Sequence, residues 1–232
     1  MFTLFCLPFA GGSSYSYRDF QSHIGDFIEI SPLELQGRGR KYGTPLQTNI
    51  YDMAEGLYLQ MKDKINGRYA FWGHSMGGWL AYLLVKKLTQ ENKPLPEHLF
   101  ISGCEAPSIE NRRRDRHKLS KSEFIALLRK YDGCPDEVLQ NDELMELFEP
   151  IIRADFKAVE TYDYEPSAPL NLPMTVMRGL NEEISYRDVL RWQDETVHKI
   201  KLLQFPGSHF FIYDHLPEIG RIITDTLGNI QC

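Results

Sequence analysis

Residues 68–88 read Arg68-Tyr69-Ala70-Phe71-Trp72-Gly73-His74-Ser75-Met76-Gly77-Gly78-Trp79-Leu80-Ala81-Tyr82-Leu83-Leu84-Val85-Lys86-Lys87-Leu88. The first five are a short, aromatic-rich apolar run, the pattern of a buried strand. The last eleven have the composition and length of a helix. Between them lies Gly-x-Ser-x-Gly, Gly73 to Gly77. A strand, a sharp turn and a helix around that pattern predict a nucleophile elbow. Such a turn strains the serine backbone and lifts its hydroxyl above the sheet, while glycines two residues either side let strand and helix pass closely. The competing reading is a glycine-rich turn in which Ser75 only caps the helix that follows.

Working outward, strand-like runs recur at 3–7, 27–30, 69–72, 98–102, 174–178 and 201–205. Helical patterns fall at 17–24, 50–65, 78–89, 186–195 and 216–227. This alternation predicts an α/β fold with a mostly parallel sheet and helices on both faces. In such sheets ligands sit at the carboxyl ends of the strands. The rhythm breaks between 105 and 169, where no strand is expected. There 120–131 and 142–161 are amphipathic, 136–140 is a short helix, and Asp132-Gly133-Cys134-Pro135-Asp136 is a turn. We expect one domain over 1–232, with a helical insertion at about 105–169 covering the site as a lid. The alternative is a plain helical excursion that completes the core.

With 232 residues, 42% hydrophobic and 25% charged, the chain can bury the core of one sizeable domain. A net charge of −6 gives no drive toward nucleic acid or membranes. No apolar run approaches the ~20 residues that span a bilayer. The start, Met1 to Leu7, lacks a basic leader and meets Pro8, so it reads as a first strand rather than a signal peptide. Cys6, Cys104, Cys134 and Cys232 are not at CxxC spacing, which argues against zinc, and a large domain without a leader favours thiols in a reducing cytoplasm. No exposed apolar repeat stands out, so a monomer is the default.

A serine nucleophile needs a base. Of seven histidines, His209 alone follows a strand in a small-residue loop, Gly207-Ser208-His209. His23, His98, His117 and His198 read as surface residues, His215 as a capping or surface group, and His74 as a residue that shapes the pocket. The orienting carboxylate should follow the strand at 174–178, where Glu182 is the first choice. Glu183, Asp188 and the more distant Glu105 remain alternatives. The order nucleophile, acid, histidine is that of α/β-hydrolases. Two backbone amides should face the developing oxyanion: that of Met76, after the nucleophile, and one from Pro8-Phe9-Ala10-Gly11-Gly12-Ser13-Ser14, with Ala10 the candidate donor. That loop matches neither a P-loop nor Gly-x-Gly-x-x-Gly.

Together the motifs make the chain similar to the type II thioesterases of nonribosomal peptide and polyketide synthesis, stand-alone editing enzymes of the α/β-hydrolase fold. Leu7-Pro8-Phe9-Ala10-Gly11-Gly12-Ser13 resembles that family's opening signature. Gln36-Gly37-Arg38-Gly39-Arg40 resembles its P-G-R-G-x-R loop, with Gln36 at the proline. Gly73 to Gly78 resembles G-H-S-M-G-G, and Gly207-Ser208-His209-Phe210-Phe211 resembles G-G-H-F-F. Arg153-Ala154-Asp155-Phe156-Lys157 and Glu160-Thr161-Tyr162 resemble the end of its lid region. The family usually has aspartate where this chain has Glu182, so the loop carrying the longer side chain should sit slightly further from His209. The resemblance implies hydrolysis of acyl thioesters from the phosphopantetheine arm of acyl or peptidyl carrier proteins, with no cofactor or metal. It also suggests that Arg112-Arg113-Arg114, with Arg116, His117 and Lys118, docks the acidic helix of a carrier, against the plainer reading of a solvated charge run. A fatty acyl-carrier hydrolase or general carboxylesterase of the same fold, and a non-catalytic carrier-binding protein, are the rival functions.

Overall fold

A computed structural model describes residues 1–109 and 115–231. Six strands form one sheet: β1 (Phe2–Leu7), β2 (Ile28–Pro32), β3 (Arg68–His74), β4 (Leu99–Ser102), β5 (Met174–Gly179) and β6 (Lys201–Phe205). Their spatial order is β2-β1-β3-β4-β5-β6, and every pairing is parallel. β1, β3, β4 and β5 are buried almost throughout, as strands covered on both faces must be, which is why they read as continuous apolar runs.

Helices α1 (Ile50–Met61) and α2 (Met76–Gln90) pack on one face around Phe5, Phe71, Leu80 and Leu84. The last helix, α8 (Leu216–Gln231), packs on the other with Phe20, Trp72, Ile219 and Ile223. The stretch read as a helix at 17–24 is a 3-10 helix, Ser14–His23, started by a capping box between Ser13 and Ser16. The stretch at 186–195 divides into α6 (Tyr186–Leu190) and a 3-10 turn, Arg191–Glu195. Among the described residues one α-helix is absent from the sequence expectations: α7 (Phe211–Asp214), too short to show a period.

Between β4 and β5 the described residues form the helices α3 (Lys121–Tyr131), α4 (Asp136–Leu139) and α5 (Asp142–Glu160). Ser120 starts α3 through a capping box with Glu123, and Asn141 caps α5. Phe124, Leu128, Leu139, Met145 and Ile152 form a small core of their own, separate from the two that flank the sheet. Arg112, Arg113 and Arg114 lie outside the described residues. The rest of that basic cluster is engaged within the protein. Arg116 and His117 both bond buried Glu160, and Lys118 pairs with Asp115. Two surface assignments are thus corrected. His117 is 13% exposed in its side chain because Glu160 draws it inward, and His98 is buried with Nε2 2.9 Å from Thr175 Oγ1.

Candidate active site

Ser75 stands between β3 and α2 with φ 53° and ψ −124°. This strained backbone is held because its N–H donates to the Ser102 carbonyl at 2.7 Å and its own carbonyl accepts from Gly78. A Cβ on Gly73 would lie 2.0 Å from the Gly77 carbonyl oxygen, and one on Gly77 would lie 2.3 Å from that of Leu7. Only glycine permits this crossing of strand and helix. The Ser75 side chain caps nothing in α2, so the capping alternative does not describe it.

The structure brings Ser75, His209 and Glu182 into a line. His209 Nε2 is 3.0 Å from Ser75 Oγ, and His209 Nδ1 is 3.1 Å from Glu182 Oε2. An ionised carboxylate only accepts, so it puts the ring proton on Nδ1 and leaves Nε2 to accept from the serine hydroxyl. Glu182 is 1% exposed in its side chain. Its other oxygen, Oε1, accepts from the Gly179 amide at 3.0 Å, so the carboxylate folds back onto the end of its own strand. That return takes up the extra methylene. The alternatives fall away from the ring: Glu183 pairs with Lys130, and Asp188 bonds Ser185. Glu105 lines the cavity too, but it is Glu182 that meets His209 Nδ1.

His74 sits behind this line, fully buried, its ring centroid 4.9 Å from that of His209. Burial, aided by the charge His209 can carry, holds its pKa well below the usual histidine range. It therefore stays neutral and adds no second cation beside His209. Its Nδ1 meets Ser102 Oγ at 3.1 Å, and its ring packs against Phe9, Phe210 and Phe211. It backs the histidine rather than lining the cavity.

Met76 is the first residue of α2, so its N–H has no partner within the helix. Across the cavity Ala10 lines the wall, and its amide has no hydrogen-bond partner among the described residues. The next two amides are occupied, Gly11 by Asp155 Oδ2 and Gly12 by the Phe9 carbonyl, both at 2.8 Å.

Above these groups opens a cavity of about 660 Å³. Its floor holds Ser75 and His209, and its apolar walls include Met76, Trp79, Leu128, Met145, Phe148 and Phe156. Trp72, by contrast, is pure core. The insertion forms the roof. Tyr131, at the end of α3, tilts over His209 at 5.3 Å between centroids and accepts from Arg116 Nη1 at 2.6 Å. The turn after it rests on Phe210, and a Cβ on Gly133 would stand 2.0 Å from that ring. Tyr131 and the Arg116–Glu160 pair were missed in the sequence, where nothing marks a tyrosine at a helix end as a neighbour of a histidine 78 residues on.

An elbow serine at the carboxyl end of a parallel sheet, with histidine and carboxylate supplied by later strand exits, defines an α/β-hydrolase. The thioesterase domain family matches residues 2–227, and the chain belongs to that family. As such it is a thioester hydrolase. It is 33% identical over 212 residues to the gramicidin S biosynthesis protein GrsT of Aneurinibacillus migulanus, covering 91% of this chain and 83% of the relative. It is 30% identical over 220 residues to the medium-chain S-acyl fatty acid synthase thioesterase of Homo sapiens, covering 92% and 82%. The crystal structure of ClbQ from the colibactin NRPS/PKS pathway superposes with a TM-score of 0.94 at 32% identity, covering 99% of this chain and 98% of ClbQ.

Proposed function

We propose that this protein is an editing thioesterase of nonribosomal peptide or polyketide synthesis. On this reading it hydrolyses stalled or wrongly loaded acyl groups from phosphopantetheinyl carrier proteins. The observation that carries the proposal is the Ser75–His209–Glu182 line, at 3.0 and 3.1 Å, on the floor of an apolar cavity of about 660 Å³. The likeness to relatives named for such pathways supports the choice of substrate.

In the proposed reaction Ser75 Oγ attacks the thioester carbonyl carbon as His209 Nε2 takes its proton. Glu182 holds the ring and stabilises the imidazolium. The amides of Ala10 and Met76 receive the oxyanion of the tetrahedral intermediate. The carbon–sulfur bond breaks, and the pantetheine thiol leaves with the proton from His209. Water, deprotonated by His209, then attacks the acyl-serine carbonyl; the bond to Ser75 Oγ breaks, Oγ takes the proton back from His209, and the acid leaves. The helices α3 to α5 act as the lid of a single domain that works as a cytoplasmic monomer. No helix among the described residues is long and apolar enough to cross a membrane.

The test compares acetyl-phosphopantetheinyl carrier protein, acetyl-CoA and p-nitrophenyl acetate, with Ser75→Ala as control. Strong preference for the carrier thioester, lost in the alanine variant, is expected. Turnover of the oxygen ester alone would remove the carrier substrate. A second reading, release of medium fatty acyl chains, draws on the human relative and on the apolar walls. It requires kcat/KM to rise steeply from acetyl to octanoyl and decanoyl carriers.

A further inference from the structure

The loop that carries Ala10 is fixed by groups that touch neither Ser75 nor His209. Gly11 N–H donates to Asp155 Oδ2 at 2.8 Å, and the Gly12 carbonyl accepts from Arg38 Nη1 at 3.3 Å. Arg38 and Asp155 are joined by two further bonds, Nη1 to Oδ2 at 2.5 Å and Nη2 to Oδ1 at 2.6 Å. Both side chains are buried, 3% and 0% exposed. Asp155 belongs to α5, the long helix of the lid. Arg38 belongs to the loop after β2, which has its own buried anchor: Glu34 accepts from the Ser14 amide and hydroxyl and from the Arg40 amide.

A buried ion pair is poor evidence for stability, because desolvation offsets much of its attraction. What distinguishes this pair is where its remaining bonds go. Each partner spends one on the backbone of the residues directly after Ala10. The guanidinium takes a carbonyl and the carboxylate takes an amide, so the Gly11–Gly12 segment is gripped by both of its polar edges. The flanking contact is equally close: a Cβ on Gly11 would stand 2.9 Å from Ile152, one turn before Asp155 on the same helix.

We infer that Arg38 and Asp155 are positioning residues, which aim the Ala10 amide at the developing oxyanion and make that aim depend on the seat of α5. The inference rests on the reading of Ala10 as an oxyanion donor. It assigns α5 to the catalytic framework, distinct from α3 and α4, which only roof the cavity.

The decisive variant is the double replacement Arg38→Met/Asp155→Leu. It removes both charges together and leaves no buried ion unpaired, so that only the Gly11 amide and the Gly12 carbonyl lose a partner. The expected result is a melting midpoint close to the parent's, with kcat for acetyl-CoA lowered about a hundredfold and KM within about threefold, the loss typical of a misplaced catalytic group. Affinity for an alkylboronic acid, whose tetrahedral adduct on Ser75 needs the oxyanion site, should fall in parallel. Affinity for a thioether analogue of the substrate should not. Arg38→Lys, which keeps the charge and loses the fork, gives an independent reading in the same assays and should lower kcat about tenfold. A double variant that is both stable and fully active would overturn the inference. So would a loss of boronate affinity matched by equal loss of thioether affinity in either variant. Ser75→Ala separates the two levels: turnover that survives in it refutes the serine mechanism itself, and with it the role assigned to the pair.

Discussion

Replacing Glu182 by glutamine keeps its shape and changes one atom, and the structure says how that atom is used. The two carboxylate oxygens have separate duties, Oε1 accepting from Gly179 N–H at 3.0 Å and Oε2 from His209 Nδ1 at 3.1 Å. Glutamine offers one acceptor and one donor. If its oxygen faces Gly179, its NH2 faces Nδ1, and the ring must carry its proton on Nε2, where it cannot accept from Ser75. If it turns over, two donors meet at Gly179 in a site sealed from water, at a cost of about 1–3 kcal/mol. The productive orientation is then a minor one, by roughly 5- to 150-fold. Loss of the anion opposite the imidazolium multiplies this. The sum approaches the ~10⁴-fold fall seen when such a carboxylate becomes an amide and the wrong tautomer results. Alanine imposes no wrong tautomer. Glu182→Gln should therefore be the worse enzyme, with kcat/KM for acetyl-CoA down about 10³- to 10⁴-fold and at least tenfold below Glu182→Ala. Thiol release measured with a chromogenic reagent, beside the rate of Ser75 labelling by a fluorophosphonate, would show it. A glutamine variant as active as the alanine variant would refute the division of duties between the two oxygens.

Other outcomes follow from the same geometry. Gly73→Ala should cost about 3 kcal/mol or more, because its Cβ meets backbone and no side chain can yield; a denaturant midpoint close to the parent's would contradict the close crossing. Gly133→Ala should push the turn after α3 off Phe210 and raise KM for octanoyl-CoA roughly tenfold while sparing acetyl-CoA. An unchanged ratio of the two would mean the turn does not shape the acyl site. Burial, with some repulsion from Lys201, lowers the His98 pKa from 6.5 to about 4. Between those values the unfolded chain binds a proton that the folded one refuses, so stability is intact above pH 6.5 and falls by up to about 3 kcal/mol toward pH 4. Urea melts of His98→Gln should show a flatter pH dependence than the parent; equal slopes would remove His98 as a cause.

Most of the sheet was legible because strands buried on both faces declare themselves as apolar runs, and 174–178 covers β5 but for its last residue. The elbow was legible because its glycines are a local steric demand. Ser75, His209 and Glu182 could be singled out because each follows a strand, and parallel strands deliver their exits to one edge. What was illegible depends on partners far along the chain. His98 and His117 read as surface residues because Thr175 and Glu160, which bury them, lie 77 and 43 positions away. The Arg38–Asp155 pair spans 117 positions, and neither residue's neighbours mark it as buried. Single resemblances covered both ends of that pair, but only the folded chain joins them.

The separate core of the insertion has a consequence for how such a protein can change over time. Leu128, Met145 and Ile152 are at once part of that small cluster and part of the cavity wall. Substitutions that remodel the acyl site therefore disturb a cluster detached from the two that hold the sheet, and their effects couple little across that gap. Selection can explore new substrates in α3, α4 and the start of α5 while the sheet, with its elbow, stays above its threshold for folding. The boundary of this licence is the turn from Ile152 to Asp155, where the helix meets Gly11 and no longer belongs to the substrate alone.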